Sequence, residues 1–361
     1  MKMQDLMLKF PHLPENIFNK LNSESLFACR EVTRSWQNII DGRNYQWLRI
    51  VNIPTIMKGK NSYLHLAAAT GQMETFKTAL NQEKDHNIKN NLDETPFHLA
   101  CKKGRFKIVQ LLLKNNDLKI DFNAKDNYCG LTAFHVACKF GHSDVVNMIL
   151  ENAAALSIDI NAKTDLGKTA FHFACKSGHS DVVKILMENA LALSIDLNAM
   201  DDMGRSPFLW ACLKGYINVV KLFMENSASL GIDLNAKSPI LNNCTGFHLV
   251  CLLGYINVFK IFIENAANLS IDLNRKNKHG QTGFHQACLK GYTYVVNIFL
   301  ENAANLSIHL NRKDKDGHTA FHLANLRDHS DVVKILKKNA AALRIDIQKC
   351  NCKGCKIRHN K

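Results

Sequence analysis

The chain has 361 residues, of which 46% are hydrophobic and 22% charged, a balance that allows a sizeable buried core and excludes a broadly disordered protein. No apolar run approaches the roughly 18 residues that a membrane-spanning helix needs, so we expect no role in the membrane. Lysine and arginine number 46 against 32 aspartates and glutamates, and the resulting net charge of +14 favours an acidic partner.

The N-terminus and the cysteines indicate the compartment. Asp5 interrupts the segment that would have to be apolar in a signal peptide. Half of the 12 cysteines recur at a near-constant interval, which indicates equivalent buried positions rather than disulfide pairs. These are Cys101, Cys138, Cys175, Cys212, Cys251 and Cys288. We therefore expect a reduced, monomeric protein of the cytoplasm, the nucleus or both.

Residues 1–52 are predicted to form a small helical module of their own. Pro14 suits the first position of a helix, and Ile17 and Leu21 share one face of it. A second apolar stripe at helical spacing follows. It consists of Leu26, Cys29, Val32, Trp36, Ile39 and Ile40.

The order of residues in this module resembles the F-box. The residues that carry the resemblance are Leu13, Pro14, Leu26, Cys29, Arg30, Val32, Arg34, Trp36 and Trp47. The interval from Pro14 to Leu26 is about one helical turn shorter than in the family. The resemblance implies docking on the linker subunit of cullin–RING ubiquitin ligases, with Leu13, Pro14, Ile17 and Leu26 supplying much of the contact. The alternative is that these helices only cap the adjoining repeats.

Residues 53–348 contain one phrase eight times, in variants of (S/T)-x-F-H-x-A-C, mostly at a period of 37 residues. The Ser or Thr predicts a helix cap, and a glycine such as Gly141 predicts the end of that first helix. Val145, Val146, Ile149 and Leu150 indicate a second amphipathic helix. A turn segment, I-D-x-N-(A/R)-K, closes each unit. One helix pair cannot bury its own apolar face, so the units must stack.

This repeat resembles the ankyrin repeat, whose phrase T-P-L-H-x-A corresponds to T-A-F-H-x-A here. The resemblance implies an all-α solenoid of about eight repeats. The period departs from the family's usual 33 residues by about four, which lie in segments such as ENAAALSID. Since four residues make about one helical turn, we expect a longer second helix that keeps the same buried face.

The paired His and Cys of each repeat invite a zinc or catalytic interpretation. Leu209 replaces the histidine in repeat 5, a change that a metal ligand would not tolerate. Catalysis also needs one distinct constellation rather than many equivalent copies, and no Walker, HExxH or GxSxG motif occurs. We therefore predict a structural role for these pairs and a non-enzymatic protein without a cofactor.

The tail, residues 349–361, is basic and rich in cysteine. Four candidate zinc ligands fall within it: Cys350, Cys352, Cys355 and His359. Their spacing departs from that of common zinc sites, so we favour a basic tail and predict no metal site.

A target-binding surface is predicted by position, because partners of ankyrin proteins usually meet the first helices and the hairpin tips. Two helix positions follow each repeat cysteine, and a hairpin two residues longer than its neighbours precedes repeat 6. The candidate residues are Lys102, Lys103, Lys139, Phe140, Lys176, Leu213, Lys214, Ile240, Leu241, Leu252, Leu253, Leu289 and Lys290. The alternative is a solvated face that only keeps the protein soluble.

The function predicted from these patterns is that of a substrate-recognition adaptor of a cullin–RING (SCF-type) ubiquitin ligase. An acidic target protein would bind the basic surface, with repeats 5 and 6 as its centre. A plain ankyrin scaffold is the alternative. We do not expect nucleic acid as a partner, because the surface lacks interleaved aromatic residues for base stacking.

Overall fold

The computed structural model of the protein describes residues 61–348, so the F-box-like module and the basic tail lie outside the described residues. The described part falls into two compact units. The first comprises residues 61–137 and 144–159, and the second comprises residues 138–143 and 160–348. Repeats 1 and 2 lie in the first unit, repeats 4 to 8 lie in the second, and repeat 3 contributes to both.

Between residues 61 and 348 the secondary structure is helical, as expected, with one isolated β-bridge between Ser238 and Cys244. The first helices of repeats 1 to 8 are Tyr63–Thr70, Pro96–Lys102, Ala133–Phe140, Ala170–Ser177, Pro207–Lys214, Gly246–Leu253, Gly283–Lys290 and Ala320–Leu326. The second helices are Met73–Gln82, Phe106–Lys114, Ser143–Asn152, Ser180–Glu188, Ile217–Leu230, Ile256–Asn265, Thr293–Asn302 and Ser330–Leu343. A short 3₁₀ helix, Asn116–Leu118, follows the second helix of repeat 2. None of these helices is long and apolar enough to cross a bilayer.

In repeats 1, 2, 4 and 6 the histidine of the repeat phrase joins the first helix to the next repeat. In repeat 6, Thr245 caps the helix by accepting the N–H of His248, and the Thr245 N–H donates to His248 Nδ1. With Nδ1 as acceptor, Nε2 carries the proton and donates to the carbonyl of Gln281 at 3.1 Å. His98 contacts Leu131 O in the same way. The predicted structural role of these histidines is thereby confirmed.

The first helices of repeats 4 to 7 end at a left-handed glycine that an aromatic or histidine ring of the next repeat covers. Gly254 has φ +72°, and a Cβ there would lie 2.8 Å from the ring of Tyr292. Glycine is required on both counts, because a left-handed backbone disfavours a side chain and the ring occupies its space.

The four extra residues of the repeat adopt two forms. In repeats 5 and 8 they lengthen the second helix, to Leu230 and Leu343, as expected. In repeat 6 the helix ends at Asn265, and a separate turn follows in which the Ile271 N–H donates to Ala266 O. The residue that closes the turn is left-handed in both forms, as at Ser270 (φ 51°) and Gly231 (φ 61°). The expected longer helix is therefore correct for only part of the array.

A ladder of asparagine side chains ties the turns of successive repeats together. Asn198 donates from Nδ2 to Gly231 O at 2.9 Å and accepts the Asp233 N–H on Oδ1 at 3.0 Å. Equivalent pairs of bonds are made within the two units by Asn87, Asn123, Asn161, Asn235, Asn274 and Asn311. Each ladder asparagine therefore satisfies one backbone donor and one backbone acceptor of the following turn.

The core of the second unit contains a row of phenylalanines in which neighbouring ring centroids lie 5.1–6.0 Å apart. In contact order they are Phe171, Phe223, Phe208, Phe262, Phe247, Phe299 and Phe284. Burial of these rings stabilises the stacked helices. The six repeat cysteines are fully buried free thiols, as predicted.

Candidate target-binding surface

The helix positions that follow the repeat cysteines are half-buried or exposed in the second unit. Exposed members are Lys139, Phe140, Lys214, Leu253 and Lys290. Half-buried members are Lys176, Leu213, Leu252 and Leu289. The predicted mixture of ammonium groups and apolar side chains is therefore available to solvent there.

In the first unit one predicted member is already engaged. The Lys102 ammonium lies 2.9 Å from a carboxylate oxygen of Glu94, whose side chain is buried. Lys103 is exposed. Lys102 is therefore better described as the partner of Glu94 than as a charge that attracts a target.

Trp210, on the first helix of repeat 5, lies at the centre of a cluster of cations. The ring is only 6% exposed, and its Nε1 donates to Asp201 Oδ2 at 3.1 Å. The Arg205 guanidinium carbon is 4.0 Å from the ring centroid, and the ammonium groups of Lys176 and Lys168 are 5.0 Å and 5.4 Å from it. The ring quadrupole stabilises positive charge at these distances.

Asp201 is paired with the Arg205 guanidinium. Its Oδ2 accepts a hydrogen bond from Arg205 Nε at 3.0 Å and lies 2.9 Å from Arg205 Nη2. Burial alone would raise the pKa of the Asp201 carboxyl, but the hydrogen bonds from Arg205 and Trp210 outweigh it, and the net shift is downward. Asp201 is therefore a buried carboxylate whose charge is matched by Arg205.

The charges that act on the Lys176 ammonium group are positive. Burial lowers the pKa of its ammonium group, and the nearby charges of Lys168, Lys214, Lys139 and Arg205 lower it further. An anion placed here would be stabilised by several cations at once. The sequence interpretation missed Lys168 and Arg205, although both occupy the same position, directly before the capping residue, in consecutive repeats.

Repeat 5 replaces the linking histidine by a small apolar cluster. Leu209, Cys244 and Leu249 are buried together, and Leu213 and Leu241 pack against them. Leu241 is thus half-buried rather than free at the hairpin tip, whereas Ile240 is 55% exposed. In this hairpin Ile240 is therefore available to a partner, whereas Leu241 packs inside the protein.

Between residues 61 and 348, one group has the spacing of metal ligands. Atoms of Asp314, Asp316 and His318 lie within 4.8 Å of one another. Asp314 Oδ1 already accepts the backbone N–H groups of Asp316 and His318. The arrangement is explained by the turn it stabilises.

Comparison with known proteins identifies the repeat. The model of the family described as ankyrin repeats matches in three copies, over residues 64–164, 154–238 and 247–349. The crystal structure of the ankyrin repeat domain of Bcl-3, described as a unique member of the IkappaB protein family, superimposes with a TM-score of 0.55 at 25% identity. The match covers 66% of this chain and 98% of that domain.

A human relative matches over a shorter stretch. Transient receptor potential cation channel subfamily A member 1 of Homo sapiens is 38% identical over 95 residues, which are 26% of this chain. The match spans 8% of the channel's length.

Proposed function

The chain belongs to the ankyrin-repeat family, and from that premise we propose that it is a target-binding adaptor, which brings an acidic protein to a cullin–RING ubiquitin ligase. Its fold is an all-α ankyrin-repeat solenoid, an architecture that generally serves as a protein-interaction scaffold. Binding of an acidic target and delivery to the ligase are the proposed additions to this scaffold role.

The proposal that the target is acidic rests on one observation, the lysines of the second unit that have no carboxylate partner within the described part of the chain. Lys139, Lys214 and Lys290 are exposed, and Lys176 is half-buried among other cations. Such a surface accelerates encounter with an acidic segment and disfavours basic proteins. The neighbouring Phe140, Leu253 and Ile240, exposed by 45%, 38% and 55%, supply apolar contact that salt does not screen.

Panning a random 12-residue peptide display library on the full-length chain tests this surface. We expect selected peptides to be rich in Asp and Glu with interspersed apolar residues, and to bind more weakly as salt rises. The double variant Lys214→Glu/Lys290→Glu should lose about tenfold or more in affinity for them.

A control of equal charge change is Lys221→Glu/Lys338→Glu, since both lysines are exposed on second helices. It should bind nearly as well as the wild type. Equal losses in both double variants, or selection of peptides without acidic residues, would place the target elsewhere.

The ligase part of the proposal rests on the F-box-like residues 10–50. Leu13, Pro14, Ile17 and Leu26 would contact the linker subunit with an apolar helix face. In a pull-down with purified linker subunit, Leu13→Ala/Pro14→Ala should weaken capture, while slow maleimide labelling of Cys138 and Cys175 shows that the repeats remain folded. Capture that is unchanged in this variant, or in a chain lacking residues 1–50, would favour the cap alternative.

A further inference from the structure

The cation cluster around Trp210 has features that binding a carboxylate does not require. Lys176 is half-buried over the ring, and the exposed Lys139 and Lys214 are close enough for their charges to lower its pKa. Lys168 is only 7% exposed and approaches the same ring as Lys176. The anion site is thus backed by fixed positive charge rather than formed by flexible surface lysines alone.

The carboxylate of Asp201, which contacts the Trp210 indole, is already engaged by other groups. Asp201 Oδ2 is shared by Arg205 and Trp210, and the Asp201 side chain is fully buried. The ion pairs found between residues 61 and 348 do not include Lys176. Burial and four neighbouring cations make its charged state costly, and an anion with more than one negative charge would relieve that cost best.

We propose that Lys176, which lies over the ring of Trp210, and its exposed neighbours Lys139 and Lys214 bind the phosphate group of a phosphorylated serine or threonine in the target segment. This inference rests on the proposed target-binding function and specifies its chemistry. A phosphate brings nearly two negative charges and three acceptor oxygens, so it can interact with more than one ammonium group. A single carboxylate carries about half that charge.

Nucleic acid also supplies phosphate, but the site does not suit it. Sequence-tolerant binding of single strands uses aromatic faces on which bases stack. The ring of Trp210 is 6% exposed and has cations close to it, so it offers no platform for a base. The geometry therefore favours a phosphate on a peptide.

The test uses three degenerate peptide pools that differ only at a fixed central residue, which is phosphoserine, serine or glutamate. Fluorescence anisotropy with the full-length chain should show the phosphoserine pool binding about tenfold or more tighter than the serine pool, and tighter than the glutamate pool. Inorganic phosphate should compete. Lys176→Ala should abolish the preference, and Lys176→Arg should restore most of it.

Folding of each variant is checked at the adjacent thiol, because Cys175 is fully buried and stays slow toward maleimide only while repeat 4 is folded. Equal binding of the phosphoserine and serine pools would overturn the inference, as would a preference that survives Lys176→Ala. If the glutamate pool binds as tightly as the phosphoserine pool, the phosphate is excluded while the acidic target stands. If no pool binds, both proposals fail. Lysine-dependent binding of a labelled single-stranded RNA would overturn the peptide assignment.

Discussion

At the scale of single residues, the buried histidines of the repeat are titratable side chains whose charged form burial disfavours. Burial lowers the pKa of His172 and His248 to about 4, from a usual value of 6.5. The imidazoles are therefore neutral, as their hydrogen bonds to Thr and to the next repeat's carbonyl require. Protonation would force a charge into the packed interface between repeats.

This geometry predicts a loss of stability in mild acid. Between pH 6.5 and pH 4 the unfolded chain binds more protons at these histidines than the folded chain, so the free energy of unfolding falls as the pH is lowered. By pH 5, where most carboxylates are still ionised, His172 and His248 should each account for about 2 kcal/mol. Urea denaturation at pH 7.5 and pH 5 measures the difference.

The chain offers a matched control, because Leu209 occupies the histidine position in repeat 5. His248→Leu should make the pH dependence shallower. A free energy of unfolding that stays constant between the two pH values would contradict the neutral, buried assignment.

At the scale of elements, the turn after the second helix is closed by a left-handed serine in four repeats and by a left-handed glycine in repeat 5. Ser157, Ser194, Ser270 and Ser307 have φ of 48–52°, whereas repeat 5 has Gly231. A left-handed backbone costs an L-residue about 1–2 kcal/mol, and glycine loses part of that advantage through its greater freedom in the unfolded chain.

Exchange of these residues should therefore act in opposite directions. Ser270→Gly should raise the free energy of unfolding by about 0.5–1 kcal/mol, and Gly231→Ser should lower it by about as much. Ser270 is exposed, and a Cβ at Gly231 would meet nothing within 4 Å, so steric effects do not interfere. Thermal unfolding of both variants measures the pair. Destabilisation by Ser270→Gly would show that the serine side chain contributes more than its backbone costs.

Elements built from contiguous residues are the ones that the sequence predicts. Thr245 and His248 lie three residues apart, so their capping bonds follow from the phrase alone. The bond from Asn198 to Gly231, the pairing of Lys102 with Glu94 and the packing of Leu241 depend on which backbone or side chain faces each residue after stacking. No local propensity encodes those neighbours, which is why the asparagine ladder and the compensated Lys102 were not predicted.

At the scale of the whole molecule, the stacked repeats are not equally stabilised. The second helix of repeat 6 buries Val258, Phe259, Ile261, Phe262 and Ile263. That of repeat 8, Ser330–Leu343, buries Val332 and Leu336 and exposes all of its lysines. A repeat that contributes less apolar surface to its neighbour is held by a smaller interface free energy.

Amide hydrogen exchange should therefore be graded along the second unit. Residues 330–343 should exchange faster than residues 256–265 by about tenfold or more, because they open by local unfolding that leaves the phenylalanine row intact. Mass spectrometry of peptides from the two helices measures the rates. Equal protection of both helices would indicate that the second unit opens only as one cooperative body.

The asparagine ladder bears on how new specificities arise on this scaffold. Asn198 and Asn235 each bond the turn of the following repeat, which precedes the hairpin tip. Their hydrogen bonds are the same on either side of the longer hairpin at Ser238–Cys244. The length of a hairpin tip can thus change while the asparagine bonds keep the helices of neighbouring repeats aligned. An insertion or a grafted peptide at residues 239–243 would change what the protein recognises without shifting the repeats, so this segment is a natural position for evolution, or for engineering, to exchange one partner for another.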